Sequence, residues 1–166
     1  MKILYIKQKL LSLGEKFTVK DESGKDVYFI EGSFLKIPKT FSIKNNRGEE
    51  VALITKKVFT FWPKFIVQVY GKDVITIKQQ FSFIRHRYSI EGYGIEIKGD
   101  WLDMNFRVLH QGELVGTVSK KWFSWGDSYK VEITKEELEE LMIAIVVAID
   151  CVISDENATV NATTTP

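Results

Sequence analysis

Sulfur and imidazole chemistry are nearly absent from this chain, which has one cysteine, Cys151, and two histidines, His86 and His110, in 166 residues. A single thiol closes no intrachain disulfide, so cysteine usage gives no sign of an oxidising compartment. One Cys and two separated His offer no zinc-binding spacing. There is no Gly-x-Ser-x-Gly elbow, and neither histidine has a nucleophile at a motif distance. His86 lies between Arg85 and Arg87, whose charges disfavour its protonated form. Both histidines therefore read as surface or structural, and no catalytic residue, metal ligand or cofactor is expected. A charge surplus is also missing: 23 Lys and Arg face 22 Asp and Glu. The global footprint of a nucleic-acid binder is absent, although local patches remain open. The N-terminal apolar residues are broken by Lys7 and Lys9, with no small-residue cleavage site. A secretory signal is not expected, and the cytoplasm is the default location.

Two loops look like ligand motifs and are not read as such. Asp21-Glu-Ser-Gly-Lys-Asp26 lacks the alternating ligands and terminal Glu of a calcium loop. Glu91-Gly-Tyr-Gly94 joins two β patterns, whereas a phosphate loop opens a helix.

Two-residue alternation is what the chain has in abundance. Phe17 and Val19, Phe41 and Ile43, Phe65, Val67 and Val69, Ile75 and Ile77, Tyr88 and Ile90, Ile95 and Ile97, and Tyr129, Val131 and Ile133 each mark a strand with one buried face. Turn residues separate them at Asp21–Gly24, Asn45–Gly48, Tyr70–Asp73, Glu91–Gly94 and His110–Gly112. Short strands joined by tight turns predict an antiparallel meander, hence a sandwich or barrel. The last segment differs. Thr134-Lys-Glu-Glu137 fits a capping box, and the run Leu141–Ile149 is apolar on every side. Such a helix must be surrounded by lipid or by protein. A membrane span needs roughly 20 apolar residues, and this run is shorter and flanked by Glu139, Glu140 and Asp150. A helix of about 135–153 buried in protein is predicted, and it gives the meander something to close around. Residues 154–166 are small and polar and predict a disordered tail. The sequons Asn157-Ala-Thr159 and Asn161-Ala-Thr163 read as compositional coincidence.

The chain also repeats itself. Phe41, Gly48, Glu49, Val51, Lys56, Lys57 and Phe59 match Phe106, Gly112, Glu113, Val115, Lys120, Lys121 and Phe123, with a one-residue slip in the turn before Gly48 and Gly112. Phe17-Thr-Val19 matches Tyr88-Ser-Ile90, and Gly32-Ser-Phe34 matches Gly99-Asp-Trp101. The half-repeats cover about 15–70 and 86–133 of one domain, 1–153.

Two Gly-Glu-x-Val turn-strands, two Lys-Lys-x-Phe segments and a terminal apolar helix, in this order, resemble the LURP-one-related family, of the Tubby C-terminal-like fold and distantly related to the phospholipid scramblases. The resemblance covers about Met1 to Ile153. It implies a β-rich (α+β by content) twelve-stranded antiparallel barrel of two six-stranded halves, closed around a central apolar C-terminal helix. Among distant relatives, Tubby domains bind phosphoinositide head groups and scramblases act at membranes. No Tubby lipid-binding position matches here residue by residue, so none is carried over.

The paired segments Lys56–Lys64 and Lys120–Trp125 mix lysine with Trp and Phe, which suits a membrane interface. Alternation alone would place Phe59, Phe61, Phe123 and Trp125 in the core and the lysines in water. Trp62 and Trp122 fall off that phase and are the expected interface aromatics. The expected function is a non-enzymatic binding module, peripheral at an anionic phospholipid or similar amphiphile, using Lys56, Lys57, Arg85, Arg87, Lys120 and Lys121. Alternatives are a cytosolic protein-interaction or scaffold domain and a small-molecule carrier using a gap between barrel and helix. Nucleic acid ranks below lipid, and a monomer is the default.

Overall fold

The structure, a computed structural model, describes residues 1–7, 16–33, 38–58, 64–80, 87–123 and 126–163. Twelve strands among these residues form one antiparallel sheet. The first six are β1 (Lys2–Lys7), β2 (Phe17–Asp21), β3 (Asp26–Gly32), β4 (Lys39–Asn45), β5 (Glu50–Lys57) and β6 (Lys64–Val69). The second six are β7 (Lys72–Gln80), β8 (Arg87–Glu91), β9 (Ile95–Asp100), β10 (Asn105–His110), β11 (Glu113–Phe123) and β12 (Gly126–Ile133). A 3-10 turn at Glu136–Leu138 leads into α1 (Glu139–Thr163).

Every strand except β8 pairs with the next in sequence, and β1 pairs with β12, so the sheet order β8-β7-β6-β5-β4-β3-β2-β1-β12-β11-β10-β9 is a meander bent into a nearly closed barrel. Its sheet edges are β8 and β9, which approach each other at the seam. The expected twelve-stranded barrel around a C-terminal helix is what forms. β1 and β3 escape a reading by alternation because their outward positions are also apolar: Ile3 and Tyr5 are half-buried, and Phe29 is exposed.

The two halves share local detail. Phe41 and Phe106 both point inward. The β4–β5 and β10–β11 ladders shift register at repeat-equivalent places, after Ile43 and after Val108. Gly48 and Gly112 close the following turns at φ 79° and 84°.

The core lies between the inner face of the sheet and the helix. Leu4, Ile6, Val19, Ile30, Ile43, Ile54, Val67, Val108, Val131 and Ile133 are fully buried. So is every side chain from Leu141 to Val152. The helix packs against β5 and β6 on one wall and β11 and β12 on the other. These walls are repeat equivalents, so each half grips the helix with the same pair of strands. The fit is close at Gly116, where an added Cβ would lie 2.4 Å from the Glu132 carbonyl oxygen and 2.9 Å from Met142 Cε. No helix among the described residues is long and apolar enough to cross a membrane.

The two buried carboxylates, Glu139 and Asp150, are partnered, whereas the buried Ser128 hydroxyl has no hydrogen-bond partner among the described residues. Tyr129 donates from its hydroxyl to Asp150 Oδ1 at 2.7 Å. Glu139, at the helix start, accepts from Lys2 Nζ at 2.8 Å and from the Tyr28 hydroxyl at 2.9 Å. Burial and the Glu139 carboxylate push the Tyr28 phenol upward.

Both helix ends differ from expectation. The Thr134 hydroxyl is directed to the carbonyls of Leu114 and Val115, at 2.7 and 2.8 Å, and not to the helix backbone. The capping box fails because β12 runs out against the start of β11, whose carbonyls take that hydroxyl first. At the other end α1 continues to Thr163, so the expected tail is helical for most of its length. Asp155 explains part of this, since it forms an ion pair with Lys56 of β5.

Two predictions follow from this packing. Gly116→Ala is expected to lower unfolding free energy by ~1–3 kcal/mol, as overpacking does, read from urea denaturation. On the outer face, Glu31 lies 2.8 Å from both Lys16 and Lys44, and these ammoniums hold its carboxyl down at about 2 against an ordinary 4.5. Its folded value is the lower one, so its stabilisation is present above pH 4.5 and is lost as pH falls towards about 2. Glu31→Gln should remove that part of the acid limb, and added salt should shrink it in the parent protein.

Candidate functional site

Strand direction alternates around the barrel, so β5 and β11 both finish at the end where the C-terminal part of α1 emerges. Lys56 and Lys57 end β5, and Lys120 and Lys121 lie near the end of β11. The two basic segments thus share one rim but stand six strands apart in the sheet order. They flank the rim rather than converge.

Alternation assigns each lysine a direction. Lys56 follows Ala52 and Ile54 in the inward phase of β5 and pairs with Asp155 on the helix. Its side chain is only 14% exposed. Lys57 has the outward phase and is exposed. Across the barrel, Lys120 shares the phase of inward Val118 and lies 3.8 Å from Asp103. Lys121 is exposed, and it helps hold the Glu132 carboxyl below its ordinary value, behind the larger effect of Lys130.

Of the other expected site residues, Arg85 and Trp62 lie outside the described residues. Arg87 opens β8 opposite Gln80. Trp122 pairs with Asp127 and Phe123 with Gly126 at the end of β11.

The ladder adds lysines beyond the expected site residues. Lys39 of β4 lies directly opposite Lys56. Lys57 lies opposite Lys64 of β6, and Lys64 opposite Lys78 of β7. Five ammoniums therefore occupy one sector of the rim across four adjacent strands. Lys56 pairs with Asp155, and Lys78 lies 2.6 Å from Glu91. Like charges directly opposite on neighbouring strands are destabilising, and here three successive strand pairs carry them. Lys39 and Lys56 also lie close enough to the helix to pull against the rise in the Cys151 thiol, which burial dominates. Chemically the sector is a row of amine donors along one part of the rim, with the buried Cys151 thiol behind Lys39 and Lys56.

Residues 2–150 match the LURP-one-related family. The chain belongs to the LURP-one-related family. It is 30% identical over 159 residues to YxjI of Bacillus subtilis strain 168, an uncharacterized protein, covering 95% of this chain and 98% of that one. A crystal structure of an Arabidopsis thaliana protein shares the fold, with a TM-score of 0.57, 13% identity, and 90% of this chain and 91% of the other covered. That likeness speaks for the LURP-one-related barrel and not for a ligand.

Lys39 and Lys78 were missed in the sequence, and Lys64 was seen only as the end of a basic–aromatic segment, because these lysines meet only through register. Their polar phase was visible; their adjacency was not. For the Lys56–Asp155 pair, a double-mutant cycle of Lys56→Met and Asp155→Ala should show a coupling of about 0.5–3 kcal/mol in urea unfolding. Additive effects would mean that the pair does not hold the helix end.

Proposed function

We propose that this protein is a non-enzymatic binding module that recognises anionic phospholipid head groups at the lysine-lined rim sector of β4 to β7. The observation that carries the reading is the row Lys57, Lys64 and Lys78, in which each lysine faces the next across a strand pair. A sheet needs no such row for folding, and ammoniums facing one another across strand pairs favour the approach of an anionic surface. Each lysine close to an anionic bilayer contributes about 1 kcal/mol, and the attraction is confined to roughly a Debye length. A flat surface can meet this sector and Lys121 together, since both lie at the same end of the barrel. Lys56 serves differently: its ammonium is taken by Asp155, so the inward lysine secures the helix while the outward ones face solvent.

Co-sedimentation with vesicles tests this. Anionic vesicles should pellet the protein and neutral vesicles should not, and Lys57→Glu with Lys64→Glu should abolish pelleting. Lys121→Met alone should weaken it by about fivefold, one lysine's share. Equal pelleting with both vesicle types, or no effect of the double substitution, contradicts the reading and favours a protein partner.

A further inference from the structure

The opposite end of the barrel holds a cleft of about 280 Å³ between the β6–β7 hairpin, the β8–β9 turn and the start of α1. Val74 and Leu141 give it an apolar floor, and Tyr70, Tyr93, Glu137 and Glu140 stand around it. Its volume is just below the ~300–1,000 Å³ of pockets for drug-sized molecules, so its ligand is small. Lys72 is also at the wall. Two carboxylates against one ammonium leave the cleft with one net negative charge.

The tyrosines occupy unusual positions. Tyr70 and Tyr93 each lead a Tyr-Gly pair in the left-handed region, at φ 49° for both tyrosines and 74° and 62° for Gly71 and Gly94. Two-residue hairpin turns of this kind favour Asn, Asp or Gly at the first place, because a bulky side chain is strained there. The chain places an aromatic ring at that position twice, and both rings border the same cleft. They are largely exposed, at 64% and 55%, so core packing does not account for them. Their placement is secured from behind. Tyr93 stacks on His110 with ring centroids 4.8 Å apart and planes within 5°. Gly92 allows the β8–β9 turn to close on β7, where a Cβ would lie 2.4 Å from the Val74 carbonyl oxygen. Glu140 accepts a hydrogen bond from the Tyr28 hydroxyl at 3.3 Å, and burial together with this carboxylate pushes the Tyr70 phenol upward.

We infer that this cleft binds a small organic ammonium: aromatic rings and a carboxylate around an apolar floor attract a cation that carries methyl or methylene groups. The inference is independent of the head-group reading, which concerns the other end of the molecule.

Choline is the probe, with dimethylbutanol as its neutral isostere, followed by NMR shifts of the Gly71 and Gly94 amides. Choline should shift them saturably, and dimethylbutanol should bind about tenfold more weakly or not at all. Glu140→Gln should weaken choline by about tenfold. Tyr70→Asn and Tyr93→Asn suit the turns better than tyrosine does, so they should keep or raise the melting temperature while losing the choline response. Phosphatidylcholine vesicles that displace choline would identify a membrane head group as the natural source, and failure to displace would identify a soluble amine. No saturable shift, or an equal response to choline and its neutral isostere, overturns the inference.

Discussion

Burial of the apolar helix is the constraint on which the rest of this structure depends. From Leu141 to Val152 no face of α1 is polar except at Asp150, and all of it is covered by the sheet. Eight large aliphatic side chains in that stretch contribute about 1.5–3 kcal/mol each on leaving water, an upper range because the unfolded chain is itself partly compact. A two-layer sandwich would leave one side of such a helix wet; a ring of strands does not. The barrel is therefore the shape that lets a uniformly apolar helix exist, and the helix fills the volume that would otherwise leave the inner faces without partners. Asp150, the polar exception, is placed where Tyr129 can donate to it.

Duplication supplies this symmetry. Because β5 and β6 correspond to β11 and β12, the helix meets equivalent walls on opposite sides. The correspondence is not complete in chemistry. Ala52 and Gly116 take equivalent inward places, and only the glycine leaves space for Met142. The rims diverge further. One inward lysine, Lys56, answers a carboxylate of the helix itself, while its counterpart Lys120 answers Asp103 near β10. The barrel thus has two chemically distinct ends: a lysine-rich rim where α1 emerges, and an aromatic and acidic cleft where it begins.

Much of this was legible because inward and outward residues alternate strictly in most strands, and because the repeat marks which turns correspond. Phe17 with Val19, Phe65 with Val67, and Tyr129 with Val131 are buried as their spacing predicts. What stayed hidden depended on contacts between distant parts of the chain. Thr134 looks like a helix cap until the carbonyls of Leu114 and Val115 claim its hydroxyl. Residues after Ile153 look too polar to be ordered, yet Asp155 finds a partner 99 positions earlier, and the helix continues to Thr163. The lysine row at the rim is invisible along the chain because Lys57, Lys64 and Lys78 become neighbours only through strand register. Local pattern reports which face a residue takes; it does not report what stands opposite.

The single thiol offers the most direct test of the enclosed helix. Cys151 lies near the C-terminal end of the buried stretch, fully covered, with its thiol pushed up by burial. Labelling by a thiol reagent across a urea series should therefore track global unfolding, with an opening free energy equal to that from spectroscopic denaturation. Rapid labelling of the native protein, at a rate indifferent to urea, would place the helix outside the barrel and contradict the account.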